Sequence, residues 1–146
     1  MLIKRYLTSM MNVDYVELPN GEELPAPDAT ANAKVYGMYV VSGEYAIGDR
    51  RFAAGDGFIS NDINYPATAK ANGDAVWFCA SQNDDVRRTV QVADIDGSAT
   101  LPTDTGFFVI EGAVEADGKT ATLGCFFKPR PAALQVTGSG KLILVK

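Results

Sequence analysis

The chain has 146 residues, 47% of them hydrophobic and 21% charged, which is enough to build a core and too apolar for wholesale disorder. A net charge of −5 argues against a nucleic-acid backbone as partner, because phosphate binding needs a basic surface. There is no histidine, which removes the commonest general base, the commonest zinc ligand and every Ser–His or Cys–His nucleophile pair.

The opening "MLIKRYLTSMMNVDY" lacks an apolar stretch of signal-peptide length, and no run in the chain approaches a membrane span. A cytoplasmic or virion setting, with no membrane partner, is the expectation. Residues 1–33 differ from the rest and are expected to form an N-terminal arm and linker. Pro19-Asn20-Gly21 suits a hairpin turn, and "PAPDATANA" reads as an extended linker. Such an arm either caps the domain or reaches a neighbouring subunit, building a homo-oligomer or a larger protein assembly.

From Lys34 onward helical periodicity is nearly absent, and runs of four to eight residues are bounded by Gly, Asp, Asn and Pro. "KVYGMYVVSG" predicts an apolar strand. "EYAI", a turn at Gly48-Asp49, "RRFAA" and a Gly55-Asp56-Gly57 corner follow, then "FIS", "AVWFCASQ" and "VRRTVQVA". "GFFVIEG", "AVEA", a turn at Asp117-Gly118, "KTATL", "CFFK", "AALQVTG" and "KLILVK" complete the set, the last two joined by a "GSG" turn at 138–140. The pattern predicts an all-β sandwich. Its expected extent is 34–146, in halves of about 34–93 and 94–146.

Those halves share a construction. Sliding the sequence by 69 positions places Val40 on Val109, Gly43 on Gly112, Gly55 on Gly124 and Phe58 on Phe127. Only four of the 21 pairs from 39 to 59 are identical, but two of the four are glycines at expected turns, where positive φ or close backbone approach is required. "YVVSGEYAIGDRRFAAGDGF" at 39–58 resembles the core of the cupin superfamily: an apolar strand, Gly-Glu, a hairpin, then Gly-Asp and an apolar residue. "FVIEGAVEADGKTATLGCFF" at 108–127 resembles it more loosely, with Cys125 where the Asp is expected. The resemblance spans about 45 residues in each half and implies a cupin-like jelly roll of two degenerate copies. It also implies two histidines and a glutamate ahead of the first strand and another histidine beyond the corner. None of those histidines is present. Asn32 and Tyr36 are the only candidate metal donors in "TANAKVYGM", so the family's imidazole-held metal does not carry over and no cofactor is expected.

Other motifs resolve into ordinary ones. "ADIDGSATLPT" lacks the closing glutamate of a calcium loop and reads as a turn, and "TGSGKL" lacks both the first glycine and the Ser/Thr of a phosphate loop. Arg50-Arg51 and Arg87-Arg88 read as solvated strand edges. Asp56, Asp62 and Asp74 read as turn residues. Cys79 and Cys125 lie in apolar runs and read as buried free thiols, with a disulfide as the alternative.

Two functions follow. The first is a non-catalytic assembly protein, such as a virion decoration, cement or fibre-associated subunit. The lack of a catalytic set and the expected arm favour it. The alternative is a metal-free, cupin-like module that binds a small ligand or carbohydrate, with Asp62, Tyr65 and Trp77 as candidate ligand-binding residues.

Overall fold

β-branched and aromatic residues alternating with polar ones favour strands, and here they make twelve among the residues that the structure, a computed structural model, describes: 2–25, 34–60, 68–81 and 88–146. No helix occurs among them. The chain divides into two compact units, Met1–Arg87 and Arg88–Lys146.

The first unit is one antiparallel sheet. Its strands are β1 (Leu2–Leu7), β2 (Met11–Pro25), β3 (Lys34–Val40), β4 (Glu44–Ile47), β5 (Arg50–Ala53), β6 (Gly57–Ser60) and β7 (Thr68–Ser81). The order is β1-β2-β7-β3-β6, with β4 pairing both β5 and β7. The second unit contains β8 (Val90–Leu101), β9 (Gly106–Ala116), β10 (Lys119–Ala121), β11 (Phe126–Phe127) and β12 (Leu134–Val145). Its order is β10-β9-β12-β8, with β11 also on β9.

The units repeat one another bond for bond around the central hairpin. Gly55 N–H donates to Val40 O and Val40 N–H to Asp56 O; 69 positions on, Gly124 N–H donates to Val109 O and Val109 N–H to Cys125 O. The pairs Phe52↔Tyr45 and Phe58↔Met38 recur as Ala121↔Val114 and Phe127↔Phe107. Gly43 and Gly112 have φ of 76° and 74°, and Gly55 and Gly124 have 93° and 94°. Ile110 is skipped where the register shifts between β9 and β12. Its equivalent Val41 lies where the first unit breaks the same strand into β3 and β4.

Several expectations are corrected. Residues 2–25 are not an arm: β2 runs along β7 in register from Met11↔Ala80 to Leu18↔Gly73 and resumes at Glu22↔Ala71. Val13, Val16 and Leu18 are buried, and removing that apolar surface from water is what draws the segment into the sheet. Pro19-Asn20-Gly21 makes an irregularity within β2 rather than a hairpin, and the assembly role given to an arm loses its basis over these residues. Residues 26–33 of the expected linker lie outside the described residues.

Neither the turn expected around Asp94, Asp96 and Gly97 in "ADIDGSATLPT" nor the one at 138–140 exists. β8 and β12 run straight through them and pair with Gly97 opposite Gly138, so a turn in one strand would have broken both. The expected half boundary at 93/94 therefore falls inside a strand. The cysteines are free, as expected, but Cys125 is exposed and Cys79 half-buried rather than buried. Cys125 occupies the outward corner position that Asp56 takes in the first unit.

Candidate functional site

Residues directly opposite each other in a sheet share a face, and so do residues two apart along a strand. In the first unit these rules assemble an apolar face of Val16, Leu18, Met38, Val40, Tyr45, Ile47, Phe52, Ala75 and Trp77, with Phe58 packed against it. The face is graded. Val16, Ala75 and Val40 form one row across β2, β7 and β3. Two residues along, Asp14, Trp77, Met38 and Phe58 form the next, which is mixed. Two further, the row is Asn12, Cys79, Tyr36 and Ser60, all able to hydrogen-bond. Tyr36 of this row and Trp77 of the mixed row are buried, at 2% and 4% exposure. Arg5 closes the mixed row's edge through two bonds to Asp14, at 2.9 and 3.1 Å.

The second unit builds the same face from Ile95, Leu101, Phe107, Val109, Val114, Ala116, Val136 and Leu142. Its mixed row is Gln91, Leu144, Phe107 and Phe127. The polar row beyond consists of Thr89, Lys146 and Thr105. Thr89 and Lys146 close the ladder by exchanging backbone hydrogen bonds of 3.1 and 3.0 Å. Position by position Thr89 stands for Asn12, Gln91 for Asp14, Thr105 for Tyr36, Leu144 for Trp77 and Lys146 for Cys79.

Where the first unit places its large aromatics, the second has smaller side chains and a cavity of about 160 Å³. Its lining combines polar Thr89, Gln91, Thr105 and Lys146 with apolar Val90, Pro102, Leu144 and Val145. Thr105 is 7% exposed, and its hydroxyl donates to Thr103 O at 3.4 Å. In the mixed row Phe107 stacks on Phe127 at 5.2 Å with the rings 9° apart. Arg130 lies 4.8 Å over Phe127 and bonds Asp117 at 2.6 Å. That bond holds the Asp117 carboxyl below the usual carboxylate range. In the first unit Arg50 sits over Phe52 and Phe58 at 5.0 and 5.9 Å, the same device supplied from another strand.

Of the residues expected to bind ligand, Trp77 stands on the graded face, while Asp62 and Tyr65 lie outside the described residues. Thr89, Gln91, Thr105 and Lys146 went unrecognised in the sequence. The signal for Thr105 was available, because the 69-residue offset carries Tyr36 onto it. The turn glycines Gly43, Gly55, Gly112 and Gly124 all adopt positive φ, as expected. The donor set of a metal cupin is not matched: the chain has no histidine, and no three Cys, Asp or Glu side chains converge among the described residues.

No protein-family model matches the sequence, and no curated protein does so significantly. Solved structures do match the fold. HutD from Pseudomonas fluorescens SBW25 superposes with a TM-score of 0.60 at 13% identity, over 93% of this chain and 77% of that one. The mannose 6-phosphate isomerase of Bacillus subtilis gives 0.59 at 14% identity, over 94% and 75%. A cupin 2 conserved barrel domain protein from Leptotrichia buccalis gives 0.50 at 14%, over 99% and 87%. These are not virion subunits, so the expectation of a virion decoration, cement or fibre-associated protein is withdrawn. The expectation of a non-enzyme falls with it, because an isomerase is built on this fold. At these identities the likeness concerns architecture alone, and it agrees with the sheets described above: the chain has a cupin-like jelly-roll fold.

Proposed function

We propose that this chain is a cupin-like module that binds a small polar ligand without a metal. The observation that carries the reading is the 160 Å³ cavity at the open end of the second unit's apolar face. Ligand sites are concave, mostly apolar and furnished with a few convergent polar groups, and this cavity has that make-up in miniature. Sites for drug-sized ligands run to roughly 300–1,000 Å³, so a small ligand suits this cavity better than a drug-sized one. The isomerase on the same fold acts, by its name, on a small phosphorylated sugar, which supports a small polar ligand in general terms.

The first unit offers the equivalent position, where Trp77 and Tyr36 suit stacking on a sugar ring. Both are buried, so a sugar has to displace a neighbour to reach them, and the second unit is the better place to look first. Asp62 and Tyr65 belong to the same proposal for the first unit.

The test is a thermal-shift and amide-NMR screen of the full chain against millimolar monosaccharides, small polyols and short organic acids. Binding of one class should raise Tm and move the amides of Thr89, Gln91 and Thr105. The chain's single tryptophan, Trp77, reports separately on the first unit. If every class leaves Tm, these amides and Trp77 emission unchanged, the reading fails.

A further inference from the structure

We infer that β1 is the pairing edge of a symmetric dimer, in which a second copy of this chain lays its own β1 antiparallel beside the first. β1 ends the strand order of its sheet, so among the described residues it has a strand on one side only. An open edge that carries apolar side chains is a template for another strand. Of the five exposed large apolar side chains among the described residues, three, Leu2, Ile3 and Leu7, stand on this strand of six. The register of the pairing follows from which backbone groups face outward. Thr8 N–H donates to Met11 O at 3.0 Å, so that rung is hydrogen-bonded. In an antiparallel ladder every second rung is of this kind, which adds Tyr6↔Val13, Lys4↔Tyr15 and Leu2↔Glu17. The N–H and C=O groups of Ile3, Arg5 and Leu7 therefore point away from β2, toward the place of a further strand.

A twofold pairing uses those groups only if it sets odd residues against odd ones. Centred on Arg5, it places Ile3 opposite the second copy's Leu7, Lys4 opposite its Tyr6 and Arg5 opposite its Arg5. Each pair is chemically matched. Ile3 and Leu7 cover one another, and they lie on the face that β2 supplies with Val16 and Asp14. Lys4, whose ammonium lies 5.5 Å over the Tyr6 ring of its own strand, meets a second ring. Two facing arginines would repel, but each is bonded to its own Asp14, so the row reads acid, base, base, acid and is neutral. The neighbouring odd-to-odd registers lose this match. Centring on Lys4 sets Lys4 against Lys4, and centring on Tyr6 leaves Ile3 opposite Ser9, beyond the strand's end. Such self-complementarity, in which residue i meets j and j meets i, is what a closed dimer requires of one surface. An interface of one short strand is small, so the dimer is weak and concentration-dependent.

The experiment is sedimentation equilibrium of the full chain from micromolar to millimolar concentration, with circular dichroism to confirm that each variant keeps its fold. The chain should pass from monomer to dimer across that range. Leu7→Lys, at a site 71% exposed in the single chain, should weaken the dimer at least tenfold without changing the spectrum. Asp14→Asn strips the facing arginines of their counter-charge, so it should weaken the dimer too, and added salt should restore part of the loss. The register is read by cross-linking on a Cys125→Ser background, which removes the exposed native thiol. Under mild oxidation Ile3→Cys mixed with Leu7→Cys should give a disulfide-linked pair, and neither variant should link to itself. A chain that stays monomeric at millimolar concentration, or a dimer that Leu7→Lys leaves equally tight, overturns the proposal. Self-linking of Ile3→Cys or Leu7→Cys in place of the mixed pair overturns the register centred on Arg5.

Discussion

Gly43 and Gly112 show most directly what one residue decides here. A Cβ on Gly43 would lie 1.8 Å from Asn72 O, and one on Gly112 2.2 Å from Ser139 O, both backbone atoms that cannot swing aside. With positive φ added, Gly43→Ala and Gly112→Ala should each cost ~2–4 kcal/mol in urea unfolding, a loss reserved for clashes and strained backbone. Tyr45 sets an alkaline limit. Its hydroxyl donates to Gly73 O at 3.2 Å, and burial, reinforced by the Asp74 charge, raises its pKa from the ordinary 10.0. A raised phenol contributes stability that is complete below its unfolded value and is lost as pH rises through the native one. Stability should therefore fall above about pH 10, and Tyr45→Phe should flatten that limb while costing ~1 kcal/mol at neutral pH for the orphaned carbonyl. Asp117 acts at the other end. Held below its ordinary 3.8 by Arg130, it contributes above that value and loses the contribution as pH falls through the native one. Asp117→Asn keeps a residue tolerant of the 54° φ and should remove this part of the acid limb in pH-dependent melting.

At the scale of the element, β2 separates what can be trimmed from what cannot. β1 is an edge strand with Leu2 and Leu7 at 59% and 71% exposure, whereas β2 carries Val13, Val16 and Leu18 at 0–1%. Removing residues 1–8 should leave the spectrum of the first unit intact. Removing 1–25 uncovers the whole edge of β7 and should unfold that unit by circular dichroism. Leu18→Ala alone should cost ~2–5 kcal/mol, the range for a buried leucine with its cavity. β2 was not read as a strand, although Val13, Tyr15 and Glu17 share one of its faces and Val16 and Leu18 the other. Pro19-Asn20-Gly21 hid it, because the same three residues serve a hairpin turn or an interruption within one strand. The long partner β7, distant in sequence, decides which. The glycines at 97 and 138 posed the same ambiguity, settled when each found the other across the ladder.

For the whole molecule, the missing histidines fix one expectation about chemistry: chelation should leave both Tm and ligand affinity unchanged, checked by melting with and without EDTA and by elemental analysis of the purified chain. A ligand bound to the folded state at about 100 times its Kd should instead stabilise it by ~2.7 kcal/mol. The cavity that would hold it was not legible in the sequence. Thr89, Gln91, Thr105 and Lys146 stand at or just beyond the ends of three strands and have no spacing in common, so no motif announces them. Trp77 was legible as a large aromatic on a strand, but its burial among Phe58, Met38 and Asp14 was not.

The sequence by itself determined the all-β class, the paired hairpins and the positive-φ glycines, because these depend on periods of two and on steric limits acting within a few residues. It also determined that no imidazole binds a metal. Tertiary structure alone decided that β1 and β2, within residues 2–25, belong to a sheet, that two apparent turns are strands, and which row of each apolar face is polar. Those outcomes depend on cross-strand register, where a single-residue slip turns every side chain to the other face.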